Sequence, residues 1–286
     1  MKLKLIMKSK IRESLKNNIK SVSNKFLSLI LLLVVLTSCS EYQKAIKSED
    51  IEVKAKVAKA MYEKGKYSKA IRLFEQVAAG YRGKPDAENV YYMFAQSYYK
   101  TEQYYLAGYQ FESFASGYPK SEKAEEASFL GAKCYSLLSP VYTLDQTDTF
   151  KAIDKLQAFI DKYPDSQYLA EANLVVKSLR EKIEMKVFEN AKQYNKISDY
   201  QSAIVALDNF VSDYPGTPYK EEALFVKLDS AYNLAINSIP SKMEERLNNA
   251  KNAHGSLLKF NASTQYKSKA DDMLAKIETD LKQFSK

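Results

Sequence analysis

The apolar positions of this chain recur in sets of three at helical spacing: an alanine, a large apolar residue four positions on, and another three further. Five such sets occur: Ala70/Phe74/Val77, Ala107/Phe111/Phe114, Ala152/Leu156/Phe159, Ala203/Leu207/Phe210 and Ala253/Leu257/Phe260. Offsets of four and three place each set on one face of an α-helix. The small alanine marks where a neighbouring helix comes close. In three copies the helix runs into a shared phrase, Gly117-Tyr118-Pro119-Lys120-Ser121, Lys162-Tyr163-Pro164-Asp165-Ser166 and Asp213-Tyr214-Pro215-Gly216-Thr217. Proline cannot continue a helix, and the Ser or Thr after it is a good cap for the next one. The phrase therefore predicts a stop followed by a start.

The alanines are 37, 45, 51 and 50 residues apart, near the length of helix-pair units, which bury their apolar faces only by stacking. Only 8 Gly and 7 Pro interrupt 286 residues, and the prolines fall at predicted helix ends. The pattern predicts an all-α chain.

Residues 86–119 form the clearest unit, with Tyr91, Phe94, Ala95 and Tyr98 on a first helix and Tyr104, Ala107, Phe111, Phe114 and Pro119 following. This resembles the tetratricopeptide consensus, with Tyr91 in place of the usual Trp. Residues 52–82 keep the frame through Val57, Ala58, Met61, Tyr67, Ala70, Phe74 and Val77. There Gly65 supplies the turn, and Arg82 stands where the closing Pro belongs. The third unit (Ala127, Leu130, Gly131, Cys134) is stretched by about nine residues at Ser139–Thr149 relative to that consensus. A contact surface and an inert loop are both open readings of the insertion. The fourth unit (Val187, Ala191, Tyr194, Tyr200, Ala203, Leu207, Phe210) predicts a first helix of up to about 28 residues, roughly 42 Å long. The fifth pairs residues 221–237 with 242–259 around Pro240, and residues 263–284 supply a polar final helix. The resemblance implies a right-handed tetratricopeptide-like superhelix of about five helix pairs with a C-terminal capping helix. Its N-terminal repeats 1–3 span residues 51–166, and repeats 4–5 with the cap span 167–286.

The net charge of +8 invites a nucleic-acid reading, but eight lysines and arginines against Glu13 alone place +7 of it in residues 1–38. A nearly neutral remainder has no bulk attraction to polyphosphate, so no nucleic-acid partner is expected. After the basic stretch, residues 26–36 form an apolar run of signal-peptide length, too short to span a bilayer. The run closes on Leu36-Thr37-Ser38-Cys39, which resembles the bacterial lipobox. Residues 1–38 are thus expected to be a lipoprotein signal peptide, read from Met1 or Met7. Cys39 is then expected to be the acylated residue, with residues 39–50 a polar tether. An ordinary signal peptide with Cys39 as bystander is the other reading. Ser40 is not the aspartate of inner-membrane retention, and Glu41 alone is not an acidic export run. By resemblance to lipoproteins, this implies the outer membrane, facing the periplasm.

The chain has one histidine, His254, no Gly-rich phosphate loop, no HExxH and no CxxC. A catalytic base, a metal site and a nucleotide cradle lack their ingredients, so neither enzyme activity nor a cofactor beyond the covalent lipid is expected. His254 reads as a packing or helix-surface residue, and Cys134 as a buried helix contact. In the repeats this chain resembles, the first helices line a concave face. Glu52, Lys59, Tyr62 and Glu63 of the first unit and Asn89, Tyr92, Gln96, Tyr99 and Lys100 of the second point there in the repeat frame. Tyr, Asn, Gln and Lys together suit an extended peptide; inter-repeat packing is the other reading of the tyrosines.

Lipobox, repeats over residues 51–262 and Tyr-Pro closures together resemble the BamD family, lipoproteins of the outer-membrane β-barrel assembly machine. The resemblance implies a non-enzymatic scaffold whose first repeats bind unfolded barrel proteins at Lys59, Tyr62, Asn89, Tyr92, Gln96, Tyr99 and Lys100. Its later repeats would dock on the POTRA domains of the barrel subunit BamA, and its lipid anchor would hold the membrane. A repeat lipoprotein for envelope division or peptidoglycan synthesis, and a surface-exposed nutrient-capture lipoprotein, remain the alternatives.

Overall fold

The computed structural model describes residues 41–284. They form α1 (residues 41–47), α2 (Ile51–Glu63), α3 (Tyr67–Tyr81), α4 (Ala87–Lys100), α5 (Tyr104–Gly117), α6 (Ala124–Leu138) and α7 (Thr147–Lys162). There follow α8 (Leu169–Lys196), α9 (Tyr200–Asp213), α10 (Lys220–Ile236), α11 (Pro240–Phe260), α12 (Lys267–Leu281) and a 3-10 turn. The described residues contain no strand. The chain divides into two compact units after Cys134, and the helices are paired as tetratricopeptide-like repeats.

In the N-terminal unit one core gathers Ala58, Met61, Phe74, Val77, Phe94, Phe111 and Phe114, all nearly sealed from water. Helix α2 starts cleanly because the Asp50 side chain accepts from the amides of Glu52 at 2.8 Å and Val53 at 3.4 Å, filling donors a helix start leaves open. At its other end Gly65, with φ +68°, turns the chain into α3. The Lys66 amide reaches back to the Met61 carbonyl at 2.8 Å, a left-handed helix stop. The same turn recurs with non-glycine residues in that conformation: Glu102 (φ 60°) after α4, and Ser198 (φ 64°) after α8 in the C-terminal unit.

Residues 41–47 correct the expected tether. They are helical, and Tyr42 and Ala45 are buried at 6% and 1% exposure in the same core as α2 and α3. Tyr42, Ala45 and Ile46 stand at i, i+3 and i+4, an apolar stripe hidden in an otherwise polar stretch.

The closing phrase is a structural unit in its own right. Tyr118, Tyr163 and Tyr214 each cap their helix and lay the ring on the phenylalanine four residues back. Their centroids lie 5.3, 5.4 and 5.5 Å from Phe114, Phe159 and Phe210. The following Ser121, Ser166 and Thr217 hydroxyls then accept from the amides two residues on, Lys123, Tyr168 and Tyr219, opening the next helix. In the first unit Tyr81 takes the capping tyrosine's place without proline, and Gly83 (φ +82°) makes the bend.

In the C-terminal unit, α8 has the expected 28 residues, and Pro240 is the first residue of α11 rather than a spacer. The fifth repeat departs from its sequence frame. Phe260 is 47% exposed, whereas Ala250 and Leu257 are fully buried and His254 is 7% exposed. Helix α11 is capped at Asn261, whose amide bonds the Leu257 carbonyl at 3.0 Å, just as Tyr118 bonds Phe114. The structural counterpart of Ala107/Phe111/Phe114 is therefore Ala250/His254/Leu257, three residues earlier than the apolar pattern suggested. Asn261-Ala262-Ser263-Thr264 is the closing phrase stripped of Tyr and Pro. Thr264 still accepts from the Tyr266 amide, at 3.2 Å.

The insertion after α6 is an ordered loop. Buried Gln146 donates to the carbonyls of Val141 and Leu144, both at 2.9 Å, and accepts from Thr149 at 2.8 Å. Lys182 and Lys186 of α8 reach it, at Ser139 Oγ and the Leu144 carbonyl, each at 2.7 Å. Val141, Leu144 and Phe150 remain exposed.

Candidate functional site

The first helices of the N-terminal repeats are tied by a polar ladder. Lys59 on α2 pairs with Asp86 at the start of α4. Asp86 accepts from Asn89 at 2.9 Å, and the Asn89 carbonyl oxygen accepts from Lys123, also at 2.9 Å. The Lys123 ammonium sits 4.9 Å from the centre of the Tyr92 ring, within cation–π range. The Tyr92 hydroxyl donates to Glu126 at 2.7 Å and accepts from Gln96 at 2.9 Å. Of the residues singled out in the sequence, Lys59, Asn89, Tyr92 and Gln96 are thus joined in one network.

Their roles differ. Tyr92 and Gln96 are each only 9% exposed, and the Tyr92 ring stands edge-on to Phe111 and Phe114, its centroid 6.1 and 5.4 Å away. Burial, and then the hydrogen bond to Glu126, push its phenol well above the usual range. Tyr92 and Gln96 form the floor of the face; packing and peptide recognition were both open readings for Tyr92, whereas Gln96 was expected to face the peptide. Tyr62 is half-buried, edge-on to Tyr67 at 5.5 Å. Its phenol is raised by burial, then by the neighbouring Tyr67 and Glu126. Tyr99, half-buried at the C-terminal end of α4, leans on Tyr104 and Phe111 at 5.8 and 6.2 Å. Asn89 and Lys100 are exposed. Glu52 instead fastens the end of the repeat, accepting from Tyr81 at 2.8 Å and Lys84 at 2.5 Å. Burial and that bond push the Tyr81 phenol up to about 12.

Asp86, Lys123 and Glu126 were not picked out by composition or motif. A signal existed: Asn89 and Lys123, like Tyr92 and Glu126, are 34 positions apart, one repeat length. Ser121 similarly donates across 33 positions to Glu88, at 2.6 Å. The C-terminal unit repeats the device without tyrosine. Lys192 bridges Glu189 at 2.9 Å and Glu222 at 2.6 Å, and Asn195 donates to Asp229 at 2.8 Å and Ser230 at 2.9 Å.

Cys39 and the leader lie outside the described residues. Among the described residues no group of three or more His, Cys, Asp or Glu is arranged to hold a metal ion, and no helix is long and apolar enough to cross a membrane. Cys134 is fully buried, which pushes its thiol up to about 12 and keeps it protonated and unreactive. His254 fills a core position and meets Asp271 at 3.0 Å. Asp271 is held below the usual carboxylate range by its bond to Lys267, then by that to His254.

A family model described as "YfiO: Outer membrane lipoprotein" matches residues 52–247 and, overlapping, 187–284. No curated protein matches the chain. Two solved structures are similar: the nearly identical TPR-like repeats of a putative kinesin light chain from Podosopora anserina, and a variant of the same repeats. Each is 15% identical over 82% of this chain and has a TM-score of 0.30, with 98% and 95% of its own length covered respectively.

Proposed function

The chain belongs to the YfiO family of outer membrane lipoproteins, and from that premise we propose that it is a non-enzymatic scaffold of the β-barrel assembly machinery. In this reading Cys39 carries the lipid, the protein faces the periplasm, and no cofactor or metal takes part. The N-terminal repeats receive extended segments of unfolded outer-membrane proteins, and the repeats of residues 167–286 dock on the POTRA domains of a BamA-like barrel subunit.

The observation that carries the reading is the pre-ordered first-helix face of the N-terminal unit. Its floor, Tyr92 and Gln96, is locked by Glu126 and by Phe111 and Phe114. Binding a peptide there costs little reorganisation. Around that floor, Tyr62, Asn89, Tyr99 and Lys100 offer flat aromatic surface, a carboxamide and a cation, a combination suited to an extended backbone and a carboxylate.

Photocrosslinking residues placed at Tyr62, Tyr99 and Lys100 in cells are expected to capture segments of barrel proteins. A crosslinker on the exposed face of α9, for example at Asn209, is expected not to. Silence at all three positions would overturn the client role. Affinity recovery of the lipidated protein is expected to bring down a BamA-like barrel; recovery of cell-wall synthases instead would replace the assembly role with an envelope-division one.

A further inference from the structure

We infer that the basic surface around α1 in the N-terminal unit lies against anionic phospholipid headgroups, so that the anchored protein is oriented by its own folded surface as well as tethered. The inference rests on the reading of Cys39 as the acylated residue. It goes beyond that reading because an acyl chain on a flexible leash leaves every face of the protein equally free.

The argument starts from the distance along the chain. Tyr42 is 6% exposed and belongs to the core of α2 and α3, and it is three residues after Cys39. Three residues span at most about 10 Å. A lipid on Cys39 therefore holds the core-bound α1 at the headgroup layer. Because Tyr42 and Ala45 face inward, Lys44 and Lys47 are left on the exposed side of α1. Lys47 is only about 8 Å along the helix from Tyr42 at 1.5 Å per residue. Lys69 of α3 joins them, its ammonium 5.1 Å from the centre of the Tyr42 ring, and exposed Arg72 follows one turn on.

Charge separates this region from the rest of its unit. Residues 41–72 carry nine Lys and Arg against five Asp and Glu, whereas residues 73–134 carry six against eight. Glu41 on α1 and Glu49 and Asp50 just after it are the carboxylates next to the anchor, and Lys44, Lys47, Lys69 and Arg72 outnumber them. Each lysine near an anionic surface adds to the attraction, which fades within a Debye length. Only the cations near the anchor are placed to use it.

The test uses the intact lipidated protein in vesicles of phosphatidylcholine alone or of phosphatidylcholine with phosphatidylglycerol. Lysine acetylation is read residue by residue by mass spectrometry, which also reports the mass of the Cys39 peptide. Acetylation of Lys44, Lys47 and Lys69 is expected to slow by roughly threefold or more in the anionic vesicles, and to recover in high salt. Lys120, exposed in the same unit but outside this region, is expected not to respond. In the Lys44→Glu/Lys47→Glu protein the protection of Lys69 is expected to disappear. Equal acetylation in both vesicles with Cys39 acylated overturns the inference and leaves the anchor standing. A Cys39 peptide without lipid overturns the anchor and the inference together.

Discussion

The two compact units are built from the same helix pair but stabilise it differently. In the N-terminal unit, large aromatic rings meet one another through the core. Phe74 meets Phe94, Phe94 meets Tyr98, Tyr92 meets Phe111 and Phe114, and Phe114 meets Tyr118, with centroids 4.9 to 6.1 Å apart. Near the end of the C-terminal unit the core turns to alanine and leucine, Ala231, Ala235, Leu247, Ala250 and Leu257, with His254 where the other repeats place Phe or Leu. The contrast teaches that the repeat tolerates a change of core chemistry if its closing turn survives. It also bears on why the proposed recognition face lies in the first unit: there the buried Tyr92 carries its hydroxyl into the polar ladder.

The sharpest way to break the comparison is Phe111→Ala. This fully buried ring supports both Tyr92 and Tyr99, and its loss is expected to cost about 3–5 kcal/mol in urea unfolding. Crosslinking at Tyr62 and Tyr99 should fall with it. Tyr92→Phe keeps the ring and removes the hydroxyl. It strips Gln96 of its acceptor and Glu126 of a donor, for an expected loss of about 1–2 kcal/mol by the same measurement.

His254→Leu carries the C-terminal unit the other way, giving the fifth repeat the leucine found at positions 156 and 207. Burying an apolar side chain in place of an imidazole is expected to raise stability by about 1 kcal/mol, measured as a higher Tm. If instead Tm falls sharply, the bond to Asp271, and not core packing, holds α12 in place. A smaller gain, up to about 1 kcal/mol, is expected from Ser198→Gly, because Ser198 occupies the left-handed conformation that Gly65 adopts without strain. Gly65→Ala should lose a similar amount.

The smallest effect is acid-sensitive and specific to the ladder. Asp86 is held below its ordinary value of 3.8 by the bond to Lys59, then by that from Asn89. Its contribution is therefore complete above pH 3.8 and lost as pH falls through the lower folded value. Both partners are partly solvated, so it amounts to less than about 1 kcal/mol. In Asp86→Asn that part of the acid destabilisation should vanish from an unfolding series run from about pH 5 downward.

How much of this could be read in advance depended on how local the cause was. The alanine-led triplets and Tyr-Pro closures were readable because helix periodicity and proline stereochemistry act within a few residues, and four of the five triplets are buried as expected. The fifth was misframed because Ala253/Leu257/Phe260 and Ala250/His254/Leu257 satisfy the same offsets. A lone histidine is not an obvious core residue, and only the helix stop at Asn261 chooses between them. Helix α1 was hidden for a related reason: three apolar positions in a polar heptad specify a helix only when a core is there to receive them. For the candidate site, that Lys59, Asn89, Tyr92 and Gln96 lie together was visible from the repeat frame. That Tyr92 and Gln96 are floor while Tyr62 and Tyr99 are half-open was not, since it depends on Lys123 and Glu126 arriving from the next repeat.

By itself, then, the sequence determined helices α2 to α12 and the Tyr-Pro stops between them, because those follow from backbone and side-chain chemistry within one or two turns. The tertiary structure alone decided which tyrosines are packed and which are half-buried, where the fifth repeat's frame begins, and that residues 41–47 are a packed helix rather than a loose tether. The tyrosines and residues 41–47 are settled by partners on other helices, brought within a few ångströms only when the helices stack, and the fifth frame by the stop at Asn261.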